Sequence, residues 1–303
     1  MNKQSNTYEA SMDNLTAEVV ERLQDSSDPR FKRIMTSLVT KLHEFIRDVD
    51  LQPSEWLTAI EFLTATGQAC TEKRQEFILL SDTLGASMMV VMLDQARAAK
   101  ASKGEFSATE ATEATVQGPY YWEGAPEMPL GSNIAEGVLG EATYYSGVVT
   151  DLNGKPIAGA LMDVWSGDGE GNYDMQVEGS DMAARAKLRC DEQGRYHFWS
   201  IRPSFYPVPV DGPVGRMLDQ MGRHPFRPGH IHMKVSAPGY ELVTTHLFVA
   251  NSPYLDTDAV FGVRQSLIID YQSCPPGVAP DGKMVEHAYW KANYDFRLIP
   301  SRN

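Results

Sequence analysis

The sequence predicts an α+β protein by content, with a helical N-terminal region followed by an all-β sandwich. Three observations carry that reading. Apolar residues recur at three- and four-residue spacings through the first hundred positions. Glycine and proline become frequent from about Val116, and short apolar runs then follow one another between turn signals. The boundary is placed so that the chain forms two domains, 1–112 and 113–303.

After "SSDPRF", Asp28 can cap a helix and Pro29 suits its first turn. Phe31, Ile34, Met35, Leu38, Val39, Leu42, Phe45, Ile46 and Val49 then draw one continuous apolar face. A second helix follows Gln52-Pro53-Ser54, carries Trp56, Leu57, Ile60 and Leu63, and stops near Gly67. A third is expected from about Glu72 to Leu93, and the next segment, "DQARAAKASKGEFSATEATEAT", has the polar, small-residue texture of a linker or exposed loop. Beyond it, "TYYSGVVT", "ALMDVW", "GRYHFWSI", "IHMKVSA" and "TTHLFVA" read as strands, punctuated by Asn153-Gly154, Pro238-Gly239 and Pro276-Gly277. Strands of this length and spacing form an antiparallel sandwich or barrel. The sequence shows no internal repeat.

The 303 residues hold 42% hydrophobic and 10% aromatic residues, a globular composition with enough apolar mass for a sizeable core. The longest apolar runs, such as "SMMVVML", are too short to span a bilayer, so no membrane span is expected. The start lacks the apolar stretch of a secretory signal, and cytoplasmic residence is the expectation. Cys70, Cys190 and Cys274 are scattered and form no CxxC, which suits a reducing compartment. A formal charge of −13, without a basic stripe, excludes nucleic acid as a partner and favours a neutral small molecule, or one captured by a local cation.

Chemistry concentrates in the β region. "RPGHIHMKV" puts His230 and His232 two apart on a strand, so both imidazoles face one side while Ile231, Met233 and Val235 face the other. Taken alone, the pair fits metal ligands and polar residues on a solvated sheet face equally well. Tyr173 in "GEGNYDM" and Tyr206 in "PSFYPVPVDGP" lie between glycines or prolines that rigidify a loop, although most of the 13 tyrosines must be packing residues. Two phenolates and two neutral imidazoles around one ion would suit hard, highly charged ferric iron better than zinc. A zinc or ferrous site using the histidine pair with Asp174 or Asp211 is the competing metal reading.

The chain resembles the intradiol ring-cleaving dioxygenases of the catechol 1,2-dioxygenase type. The likeness runs from "EFLTATG" and "LLSDTLG" through "GPYYWEGAP", "DLNGKPIAGALMDVW", "GNYD", "GRYHFWSI" and "PVGRMLDQMGRH" to "RPGHIHMKVSAPG". It implies one ferric ion per chain, held by Tyr173, Tyr206, His230 and His232. It also implies a homodimer joined through a helical domain, 1–112, whose apolar faces can enclose a phospholipid, and a catalytic sandwich, 113–303. The implied reaction binds an aromatic diol or triol through both oxygens and opens the ring with O2 through a cyclic anhydride to a dicarboxylate. Tyr206 would leave the metal and accept a substrate proton, Tyr173 would stay, and Arg227 would stabilise charge developing on the ring.

The same likeness implies a substrate wall of Leu79, Asp82, Val116, Gly118, Pro119, Tyr120, Val208, Pro209, Arg227 and Val260. "LSDTLGAS", "YPVPVDGPVGRML", "TTHLFV" and "DAVFGV" resemble the hydroxyquinol branch more than the catechol branch. Asp82 could accept a hydrogen bond from an additional ring hydroxyl, and His246 stands where catechol enzymes commonly have glutamine. Gln117 and the segment 94–112 depart from the branch pattern, which keeps substituted substrates and catechol or chlorocatechol open. A further alternative is a non-catalytic, prealbumin-like binding sandwich, which "DLNGKPIAGALMDVW" also resembles.

Overall fold

Three helices lead the chain in the computed structural model, which describes residues 3–101, 110–121, 123–179 and 182–301: α1 (Lys3–Arg22), α2 (Pro29–Asp48) and α3 (Pro53–Gln68). Asp28 accepts hydrogen bonds from the N–H groups of Arg30 (2.8 Å) and Phe31 (3.1 Å), the N-cap that the sequence predicts. Helix α1 is an addition, because its polar first half hides the period. It packs on α2 through Thr16 Oγ1 and His43 Nδ1 at 2.9 Å and an Asp13–Arg47 ion pair. None of the residues of α2 is buried, and Phe31, Leu38, Phe45 and Val49 are at least half exposed.

The single helix expected from Glu72 to Leu93 is two: α4 (Glu76–Thr83) and α5 (Ala86–Ala101). Gly85 lies between them at φ +74°, a left-handed conformation that ends one helix and lets the chain turn, and the two axes bend by 72°. The polar segment is likewise not simply a loop. Helix α5 runs into it as far as Ala101, residues 102–109 lie outside the described residues, and Thr112 and Thr115 are buried, bonding through their N–H to the carbonyls of Arg297 (3.0 Å) and Thr244 (2.9 Å). The chain divides into two compact units, Met1–Thr64 and Ala65–Asn303, and α4 and α5 belong to the second.

The second unit then lays down β1 (Ala142–Asp151), β2 (Leu161–Trp165), β3 (Arg185–Arg189), β4 (Arg195–Ile201), β5 (Tyr206–Pro207), α6 (Pro213–Gln220), β6 (Phe226–Arg227), β7 (His230–Ser236), β8 (Val243–Val249) and β9 (Ile268–Ile269). It ends with β10 (Tyr271–Cys274), β11 (Gly277–Val278), β12 (Met284–Val285), β13 (Tyr289–Asn293) and β14 (Phe296–Leu298). One sheet has the order β3-β2-β7-β8-β9; the other is β10-β13-β1-β14, with β4 also paired to β1. Tyr145 and Val149 of β1 and Phe198 of β4 meet Met162, Leu188, Ile231, Met233 and Leu247 of the facing sheet in one buried core.

The sandwich is mixed rather than antiparallel. β1 pairs in parallel with β13 over Thr143–Ser146 and with β14 over Val149–Asp151, and β8 pairs in parallel with β9. Parallel neighbours need a long crossover. Almost the whole domain separates β1 from β13, which local pattern cannot reveal. Gly147 sits where β1 passes from one partner to the other, so close to Tyr294 that a Cβ would lie 1.8 Å from its carbonyl oxygen.

Candidate active site

Strand β7 alternates as its sequence predicts. Ile231, Met233 and Val235 enter the core, and His230 and His232 share the opposite face. That face is covered, however, and each histidine is 1% exposed, which removes the reading of a solvated surface pair. Register explains the cover. His232 lies opposite Trp165 of β2 and His246 of β8, and the Trp165 indole stacks on its ring at 4.5 Å and 14°.

Two loops bring the tyrosines onto this face. Tyr173 precedes a single 3-10 turn, Asp174–Gln176, and Tyr206 sits on the two-residue strand β5, where it is the cross-strand partner of Arg227 on β6. Tyr173 Oη is 2.9 Å from His232 Nε2 and 3.2 Å from Tyr206 Oη; Tyr206 Oη is 3.4 Å from His230 Nε2; the two Nε2 atoms are 3.2 Å apart. All four side chains are buried.

Their chemistry fits a metal cation. His230 Nδ1 donates to the Pro228 carbonyl at 2.7 Å, which leaves the Nε2 lone pair facing inward. Burial first, then Arg227, depresses the His230 pKa well below 6.5; burial and His230 do the same for His232, so both rings are neutral. Burial raises both tyrosine pKa values, and Arg227 partly offsets that rise at Tyr206. Donors bonded at about 2.0–2.2 Å to one ion stand about 3 Å apart, as these do. His246 also has a ring nitrogen within 4.8 Å of those of His230 and His232, but its Nδ1 faces Arg227 Nη2 at 3.4 Å, so a fixed positive charge stands at that corner.

Residues 116–300 match a family described as dioxygenase, and residues 28–102 match one described as catechol dioxygenase N terminus. The chain is 46% identical to the 6-chlorohydroxyquinol 1,2-dioxygenase of Cupriavidus pinatubonensis, over 95% of this chain and 97% of that protein. It belongs to the intradiol ring-cleavage dioxygenase family. Members of that family use non-haem iron. The crystal structure of hydroxyquinol 1,2-dioxygenase from Pseudomonas putida superposes with a TM-score of 0.82 at 41% identity, covering 97% of this chain and all of that one. The catechol 1,2-dioxygenase of Acinetobacter radioresistens superposes with a TM-score of 0.83 at 28% identity, covering 96% and 93%. A binding module without chemistry is thereby set aside.

Around the tyrosines and histidines of this dioxygenase, Leu79, Val116, Val208 and Val260 form one buried apolar cluster with Val214 and Leu218 of α6. Leu79, Pro119, Tyr120 and Pro209 line a cavity of about 340 Å³. Tyr120 stacks on Tyr173 at 4.5 Å, which places the cavity beside the two tyrosines, and the backbone of Gly118 lies against His232. Asp82 is 1% exposed, and burial lifts its pKa to about 6 against the opposing pull of a hydrogen bond with Ser87 and of the Arg227 charge. Its Oδ2 has no partner. Gln117 points outward, exposed to solvent.

Arg227 does not pair with a surface carboxylate. Its Nη1 is 3.2 Å from His230 Nε2 and 3.5 Å from Tyr206 Oη, while Nε and Nη2 meet the buried Asp258. Sequence reasoning missed Asp258, although "DAVFGV" was singled out; a buried guanidinium requires a buried anion, and that rule was the available signal. The two carboxylates of the competing metal reading are engaged elsewhere. Asp174 forms a buried pair with Arg185, whose Nη2 also reaches the Tyr120 carbonyl at 2.6 Å, and Asp211 pairs with Arg74 at 2.8 Å.

Proposed function

We propose that this dioxygenase cleaves hydroxyquinol (benzene-1,2,4-triol), or a substituted hydroxyquinol, with O2, using one ferric ion per chain held by Tyr173, Tyr206, His230 and His232. The observation that carries the substrate is Asp82, a buried carboxylate with an unpartnered oxygen, which offers an acceptor that a third ring hydroxyl can satisfy and a plain catechol cannot. The higher identity to relatives named for hydroxyquinols than to one named for catechol supports the same choice. The product is the open dicarboxylate 3-hydroxy-cis,cis-muconate, the tautomer of maleylacetate, which contains both atoms of O2.

When bound, the ferric ion supplies Lewis-acid activation of the ring and a template for its two adjacent oxygens. The chain's residues do the rest. The wall of Leu79, Val116, Val208 and Val260 excludes water, and Gly118, Pro119, Tyr120 and Pro209 bound the ring from the loop side. Tyr206 Oη, whose anionic form Arg227 favours, is the group placed to take a substrate proton. Arg227 Nη1 presents a fixed positive charge where negative charge develops on the ring. Tyr173, stacked beneath Tyr120, stays in place.

The matched segments 28–102 and 116–300 support reading a helical domain, 1–112, and a catalytic domain, 113–303, although the compact units divide after Thr64. The exposed apolar face of α2 supports a homodimer joined through its helices, where an acyl chain of a phospholipid could also lie. Iron analysis and the visible spectrum test the metal centre. The isolated protein should contain about one iron per chain and a phenolate charge-transfer colour, and Tyr173→Phe and His230→Ala should each lose most of the metal. Full occupancy with an unchanged band in both variants would remove the assignment.

A further inference from the structure

We propose that Asp258 is a positioning residue that selects which edge of the Arg227 guanidinium faces the reacting ring; the proposal rests on the ring-cleaving reading above. Arg227 Nε donates to Asp258 Oδ1 at 3.0 Å and Nη2 to Oδ2 at 3.3 Å, with both side chains 2% exposed. A guanidinium is planar, so two contacts to one carboxylate fix both its plane and its rotation. With Nη2 also 3.4 Å from His246 Nδ1, Nη1 is the nitrogen left to face Tyr206 Oη and His230 Nε2.

The carboxylate is itself immobilised. Its Oδ1 accepts from the N–H of Val260 at 3.3 Å and its Oδ2 from the N–H of Gly262 at 2.9 Å, so the turn 258–262 closes around it. That turn is bolted to the strand carrying Arg227, because Ala259 N–H donates to the Phe226 carbonyl at 3.1 Å. Val260 of the same turn packs in the buried apolar cluster with Leu79, Val116 and Val208, so guanidinium orientation and the packing beside it are set by one short segment. Without Asp258 the guanidinium could rotate about its last bonds, and its charge would be spread over several orientations instead of one.

A mutant cycle separates positioning from support of the fold. Wild type, Asp258→Asn, Arg227→Met and the double variant are assayed by oxygen uptake with whichever of hydroxyquinol and catechol the wild type cleaves faster. Asp258→Asn should lower kcat by about 10- to 100-fold with KM within about threefold, and the double variant should be no slower than Arg227→Met alone. A kcat unchanged in Asp258→Asn, or a further loss of about tenfold or more in the double variant, overturns the proposal. If Asp258→Asn is insoluble, Asp258→Glu carries the same expectation, since one added methylene displaces the guanidinium. In the iron-free protein, NMR of isotope-labelled arginine should show a slowly exchanging Arg227 Nε–H that is lost in the variant; retained protection overturns the proposal. A wild type that cleaves neither ring would refute the reading of function, and the NMR result would still decide the position of the guanidinium.

Discussion

Asp82 shows what a buried carboxylate costs the fold. Burial raises its pKa from 3.8 to about 6, so the native state resists its ionisation while the unfolded chain does not. The sign follows from linkage. Below about pH 4 both states are protonated and the cost is absent; it grows between about 4 and 6 and is complete above the folded value. Asp82→Asn should therefore stabilise the protein at neutral pH by about 1–3 kcal/mol, and most of that gain should vanish by about pH 4.5, as read by urea unfolding at the two pH values. Equal gains at both would mean that Asp82 is not buried as a charge. The four residues proposed to hold the iron are legible in the sequence: Tyr173, Tyr206, His230 and His232 stand out by motif, and the structure brings the four together. Asp258 was not, because its place opposite Arg227 depends on a contact 31 residues apart in the chain.

Among elements, legibility follows the range of the forces involved. Helix α2 and strands β7 and β8 are set by local period and capping, and the sequence shows them almost to the residue. The break at Gly85 and the parallel pairing of β1 are not local. A glycine inside an apolar run reads as helix until its backbone must turn, and β1 gains its parallel neighbours only after the C-terminal segment returns. The Gly147 crossing depends on that return. Gly147→Ala would drive a Cβ into the Tyr294 carbonyl and to 2.9 Å from the Tyr196 ring, displacing β13 or β14 from β1. The expected loss is about 3 kcal/mol, the upper end of overpacking, measured as a lower urea midpoint; a midpoint equal to wild type would mean that the strands can separate there without penalty.

At the scale of the whole molecule, apolar surface and charge point to different consequences. The formal charge of −13 opposes anionic partners, which agrees with a substrate that becomes charged only during the reaction. The stripe along α2 is long enough to demand cover, and a second chain supplies it in the reading given above. Leu38→Glu combined with Leu42→Glu should yield monomers in sedimentation, whereas an unchanged dimer would place the interface elsewhere. The central claim is the substrate, and the most direct measurement is the ratio of kcat/KM for hydroxyquinol and catechol, by oxygen uptake, in wild type and Asp82→Ala. The wild type should favour the triol by about 10- to 100-fold, the worth of about 1–3 kcal/mol from one satisfied buried acceptor. The variant should narrow that ratio through slower turnover of the triol, with iron content unchanged. A wild type that prefers catechol, or a ratio that Asp82→Ala leaves in place, would contradict the account.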